Sequence, residues 1–82
     1  MKNKTDSKAP QLLREYFELP ASRELPLDLP LSNIEDAFAA INFTFFLEEK
    51  LGFELDELTA EKIILGNIKR YLKLFKGLEN GR

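Results

Sequence analysis

Asp36-Ala37-Phe38-Ala39-Ala40-Ile41-Asn42-Phe43-Thr44-Phe45-Phe46-Leu47-Glu48-Glu49-Lys50-Leu51-Gly52 is the stretch whose reading decides the fold. From Ala37 to Leu51 it contains no proline or glycine, an acid precedes it, and a glycine suited to a helix C-terminus follows it, so it reads as one helix. Taking Phe38 as zero and about 100° per residue, Ile41 lies near −60° and Phe45 near −20°, whereas Phe43, Leu47 and Leu51 fall near 140°, 180° and 220°. Two apolar stripes therefore stand on opposite sides of one helix. One of them can be buried in a small bundle, and the other needs a different explanation. Either the leucine-rich loop upstream folds over Phe38, Ile41 and Phe45, or this stripe is a docking surface or lines a pocket for an apolar ligand. Glu35 and Asp36 stand at its beginning and Glu48 and Glu49 continue it, which gives the carboxylate rim of an electrostatically steered contact. A charge run on a helix is also compatible with a merely solvated face.

Working toward the N-terminus, Ser32-Asn33-Ile34-Glu35 reads as a capping box, with Asp36 as a second candidate cap. Between Glu18 and Asn33, Pro20, Pro26 and Pro30 alternate with leucines at 19, 25, 27, 29 and 31, so a long loop tacked to the core by its leucines is expected. Before it, Leu12, Leu13, Tyr16 and Phe17 place four apolar side chains on one side of a helix that starts near Ser7 and stops before Pro20. Toward the C-terminus, Asp56 or Thr59 caps a short acidic helix. Ile64, Leu65, Ile68, Tyr71, Leu72 and Phe75 then repeat at helical spacing, with Lys69, Arg70, Lys73 and Lys76 largely on the other face and near the C-terminal end of the helix dipole. The fold class is all-α, a small bundle of three main helices plus one short helix. Residues 7–78 form the single domain, with tails at 1–6 and 79–82.

Composition narrows the function. The 82 residues contain no Cys, no His and no Trp, so acid–base or metal chemistry would fall to carboxylates alone. Glu48 and Glu49 are adjacent and point about 100° apart, which argues against a convergent carboxylate pair. No enzymatic activity is expected, and no metal. The net charge of −2 conceals segregation: residues 1–14 sum to +3, residues 15–61 to −10 and residues 62–82 to +5. Because most of the aromatics sit in or beside the acidic block, a basic protein partner fits better than nucleic acid. No apolar run is long enough for a membrane span and the start lacks the h-region of a secretory signal, so a cytoplasmic protein without membrane insertion is expected.

The layout also resembles a known family. A first helix, a long proline-containing loop, a helix opened by Asp-Ser-Leu and closed by Leu-Glu-Glu-x-Phe/Leu-Gly, an acidic segment and a last helix form the pattern of acyl carrier proteins and the related peptidyl carrier domains. Here Asp36-Ala37-Phe38 stands at the opening. Leu47-Glu48-Glu49-Lys50-Leu51-Gly52 is similar to the closing, Leu58-Thr59-Ala60-Glu61-Lys62-Ile63 to the short third helix, and Leu65-Gly66-Asn67-Ile68 with Tyr71-Leu72 to the start of the fourth. The resemblance spans about residues 8–75.

What the resemblance implies is a carrier that presents a 4′-phosphopantetheine-tethered thioester in fatty-acid, polyketide or nonribosomal-peptide biosynthesis. The carrier does no chemistry of its own on the cargo. Its partners would be a phosphopantetheinyl transferase, acyl- or aminoacyl-loading enzymes, synthases and thioesterases, and a monomer is expected. The family attaches the arm to the Ser of Asp-Ser-Leu, and that position is Ala37 here. Alanine has no oxygen, so this chain cannot be primed there. Either a Ser was replaced to hold the protein unmodified, or this is a natural relative without the arm; the intact pattern on both sides favours replacement. Ser32 lies more than a turn too early and lacks the preceding Asp. By the same resemblance, Asp36 and Phe38 flank the attachment position, and Phe38, Ile41, Phe45, Glu48 and Glu49 form the partner-docking surface. The alternative is a cargo-free interaction or regulatory module that uses the same helix surface.

Overall fold

The computed structural model describes residues 7–80, which form four helices: α1 (Ala9–Phe17), α2 (Ala37–Leu51), α3 (Glu57–Leu65) and α4 (Ile68–Asn80), with a 3-10 turn at Leu31–Asn33. The all-α bundle expected from the sequence forms. Its proportions differ, because α2 and α4 are long at 15 and 13 residues while α1 and α3 have nine each. The expected tails at 1–6 and at the last two positions, 81–82, lie outside the described residues. Position 79 does not belong to a tail: α4 runs through it, and the Glu79 carboxylate accepts from the Ser7 hydroxyl at 2.6 Å and the Lys8 N–H at 3.1 Å, joining the end of α4 to the start of α1.

Helix α1 opens with Pro10 in its first turn, where a missing N–H does no harm, and the Ser7 hydroxyl accepts from the Ala9 N–H at 3.0 Å. It ends at Glu18, which adopts the left-handed conformation with φ 56°. The Arg14 guanidinium then donates to the carbonyls of Pro20 at 2.6 Å and Arg23 at 2.7 Å, fixing the departing chain.

The inner faces meet in an aromatic cluster. Phe43 of α2 lies 5.2 Å from Phe17 of α1 and 5.3 Å from Tyr71 of α4, centroid to centroid, and all three rings are buried. Leu13, Leu31, Leu47, Ile63 and Ile68 close the core around them. Tyr71 keeps its hydroxyl in this interior by donating to the Ala9 carbonyl at 2.7 Å, and burial, reinforced by the charge of Glu79, pushes its ionisation well above the usual phenol range.

The proline-rich loop docks, as its leucines suggested, but its main attachment is to the α3–α4 corner. Leu31 is buried, and Leu19, Leu25 and Leu29 pack against the core, whereas the Leu27 side chain stays exposed. The carbonyls of Leu29 and Leu27 accept from the N–H groups of Ile68 and Lys69 at 3.0 Å each, and the Leu31 N–H donates to Gly66. The loop backbone thereby caps the start of α4.

Three local readings need correction. The Ser32 capping box does not form: Ser32 lies in the 3-10 turn, no side chain caps that turn, and Asp36 alone caps α2. Ile64 and Leu65, which share the helical spacing of Ile68, Tyr71 and Phe75, do not belong to the fourth helix. Gly66 ends α3 and the Asn67 side chain accepts from the Arg70 N–H at 2.9 Å, a stop and a cap side by side in the sequence. Because α4 therefore starts at Ile68, Lys69 and Arg70 fall in its first turn, at the positive end of the dipole, and its last turn carries no basic residue.

Candidate docking surface on the second helix

Asp36 is extended, at φ −155° and ψ 178°, and its Oδ1 accepts from the Ala39 N–H at 2.8 Å. This starts α2 at Ala37, whose methyl group stands in the exposed first turn. The side chains that follow sort by angle. Ala40, Phe43, Thr44 and Leu47 are buried, and Thr44 satisfies its hydroxyl by donating to the Ile41 carbonyl at 2.6 Å. On the other side, Phe38 is 76% exposed, Phe45 58% and Ile41 38%. The loop does not cover them, so the reading in which its leucines shelter this stripe fails. The two-stripe geometry is realised with one stripe in the core and the other in solvent.

The expected carboxylate rim is only partly free. Glu35, Asp36 and Glu49 are exposed, but Glu48 is half-buried and its Oε2 accepts from the Leu55 N–H at 2.8 Å. Glu48 therefore holds the α2–α3 connection in place, and the exposed acids of the expected rim are Glu35, Asp36 and Glu49. Lys50 sits with its ammonium 5.3 Å from the centre of the half-buried Phe46 ring, a cation–π contact at the far end of the helix.

The strip is exposed, and two grooves lie elsewhere on the bundle. A groove of about 510 Å³ is lined by Leu12, Leu51, Phe53 and Phe75 and so lies at the C-terminal end of α2; another of about 480 Å³ is lined by Pro30, Leu65 and Arg70. Neither is lined by Phe38, Ile41 or Phe45.

Helix α3 adds exposed apolar residues that were not singled out in the sequence. Leu58 is 58% exposed and Leu65 69%, seven positions apart and so on one face, while α3 packs on α2 through its other side with Ile63 buried. Their signal was the i, i+7 spacing, concealed by the reading of Leu65 as part of the last helix. Asp56 caps α3: it accepts from the Thr59 hydroxyl at 2.5 Å, which holds its carboxyl below the usual Asp range.

A phosphopantetheine arm does not fit the residues present. It needs a side-chain oxygen at the start of α2, and Ala37 offers a methyl, while the Ser32 hydroxyl lies in the preceding 3-10 turn. Among the described residues, no group of three or more carboxylates could hold a metal ion, and no helix is long and apolar enough to cross a membrane.

No protein-family model, curated protein or solved structure matches this chain.

Proposed function

We propose that this chain is a carrier-type protein of acyl, aminoacyl or peptidyl biosynthesis in a form that cannot carry cargo, and that it meets its cytoplasmic partner enzymes through the outer face of α2. The observation that carries this reading is the exposed strip Phe38, Ile41 and Phe45, which begins one residue after the position where the resemblance puts the attachment serine. A small apolar strip steered by Glu35, Asp36 and Glu49 suits a contact that must form and dissolve quickly, because a carrier has to leave one enzyme to reach the next. Asp36 has a structural role beside any recognition role, since it sets where α2 begins.

The test restores the missing hydroxyl. Ala37→Ser is incubated with coenzyme A, Mg²⁺ and a promiscuous phosphopantetheinyl transferase, and the mass increment of the arm is sought. Labelling that survives Ser32→Ala supports the reading and assigns position 37. A folded Ala37→Ser chain that gains no mass refutes it.

A second reading rests on a specific residue. Ala37 leaves the present chain without an attachment atom, which favours a cargo-free module that holds a partner on the same strip. Such a module would bind one partner with a long residence time. A carrier would show weak, rapidly exchanging contacts with several enzymes.

A further inference from the structure

The side of the bundle opposite the α2 strip carries a second surface that the carrier reading does not use. Taking Lys69 as zero and about 100° per residue, Lys76 lies near −20°, Lys73 near 40° and Arg70 near 100°, whereas the buried Tyr71 and Phe75 lie near 200° and 240°. All four cations are exposed and span roughly 10 Å of helix. Tyr71 faces Phe43 across the core, and Phe43 in turn faces away from Phe38 and Phe45, so the cationic face and the acidic, apolar face look in opposite directions.

Three observations mark this face as built for an anionic partner. Among the described residues, no carboxylate forms an ion pair with Lys69, Arg70, Lys73 or Lys76. Two of the four, Lys69 and Arg70, occupy the first turn of α4, where the helix dipole disfavours a cation, so local stability does not account for them. Finally, Asn67, Lys69, Arg70, Lys73 and Leu74 surround a notch of about 420 Å³. The first N–H groups of α4 are already taken by Leu29, Leu27 and Asn67, so the attraction for an anion comes from the side chains.

We propose that the outer face of α4 is a docking surface for an acidic protein segment, with an Asp or Glu carboxylate of the partner seated in the notch against Arg70. A lipid surface fits less well. Adsorption to a bilayer draws on apolar side chains inserted below the headgroups, and none of the exposed large hydrophobic residues belongs to α4. A flat bilayer also cannot fill a notch that a protruding carboxylate can, and a guanidinium offers such a carboxylate two parallel hydrogen bonds. Because this surface is independent of position 37, both faces can be occupied at once and the proposal stands apart from the carrier reading.

The experiment uses the whole chain, a Glu-rich helical peptide as probe, and backbone amide shifts as the map. At about 0.1 M salt, where charges beyond ~10 Å are screened, the peptide shifts amides of α4 and Asn67 and leaves those around Phe38 and Phe45 in place. Lys69→Gln, Arg70→Gln and Lys73→Gln together weaken binding at least about tenfold, and Arg70→Lys, which keeps the charge but loses the fork, weakens it several-fold. Phe45→Ala binds like the parent. Absent saturable binding, shifts mapping elsewhere, Arg70→Lys equal to the parent, or tighter binding to phosphatidylglycerol vesicles than to the peptide would each overturn the proposal. If the triple variant loses stability, the shift map and Arg70→Lys still decide.

Discussion

Phe43 and Tyr71 meet with ring centroids 5.3 Å apart and planes at 63°, an edge-to-face contact that joins the inner sides of α2 and α4. Their meeting fixes what the outer sides can be. Each helix has one side committed to this contact, so the residues about half a turn away are turned to solvent, apolar and acid-rimmed on α2, cationic on α4. The net charge of −2, a sum over the whole chain, gives no sign of these opposed surfaces.

The two stripes of α2 should separate in a mutational comparison. Leu47 is fully buried and Leu47→Ala removes core contacts, which should lower stability by about 2–5 kcal/mol. Phe45 is 58% exposed, and Phe45→Ala should change stability by about 0.5 kcal/mol or less while weakening partner binding. Urea unfolding of both variants measures the contrast. Equal destabilisation would mean that Phe45 is packed and that the strip is not a free surface.

The start of α2 gives a second comparison. Asp36→Ala removes the 2.8 Å bond to the Ala39 N–H and should cost about 1 kcal/mol. Ser32→Ala, in a turn capped by no side chain, should stay within about 0.5 kcal/mol. Thermal unfolding monitored by circular dichroism distinguishes the two, and a larger loss for Ser32→Ala would restore the capping box as the true helix start.

This pair also illustrates how far the sequence could be read. Helical spacing found α2 from Ala37 to Leu51, Gly52 as its end and the two stripes, because each depends only on residues a few positions apart. The choice between Ser32 and Asp36 was ambiguous locally, and it is decided by Leu31, which is buried and held to Gly66 through its N–H, so that the 3-10 turn belongs to the core and α2 starts after it. The role of Glu48 depends on a bond to Leu55, seven positions away across a turn, which no helical periodicity encodes. The cover for Phe38 was open for the same reason: the direction taken by the leucine loop is set by its bonds to Ile68 and Lys69, more than thirty-five residues downstream.

Glycines at three helix positions should respond with different signs. At Gly77, exposed within α4, an added Cβ meets nothing within 4 Å, and Gly77→Ala should stabilise by about 0.5–1 kcal/mol. At Gly52 there is room as well, but φ is 84°, so Gly52→Ala should cost about 1 kcal/mol through the backbone alone. At Gly66 the added carbon would stand 2.6 Å from the Lys62 carbonyl and 2.7 Å from the Arg70 side chain, so Gly66→Ala must shift the α3–α4 corner and should destabilise more than Gly52→Ala. Chemical denaturation of the three variants ranks them, and a neutral Gly66→Ala would contradict the close approach at that corner.

Alkaline unfolding should report on Tyr71. Its hydroxyl is buried and bonded to the Ala9 carbonyl at 2.7 Å, and its ionisation is raised above the ordinary value near 10, first by burial and then by the charge of Glu79. The folded chain therefore keeps a proton that the unfolded chain loses. Below pH about 10 both states are protonated and this contribution is fully present; above it the unfolded state alone ionises, and stability falls by up to about 1.4 kcal/mol per pH unit until the folded pKa is reached. Tyr71→Phe should lose about 1 kcal/mol at neutral pH with the missing hydrogen bond, and its stability should decline less steeply between pH 10 and 11.5 than that of the parent. Parallel slopes in the two proteins would mean that Tyr71 ionises as readily in the folded chain as in the unfolded one.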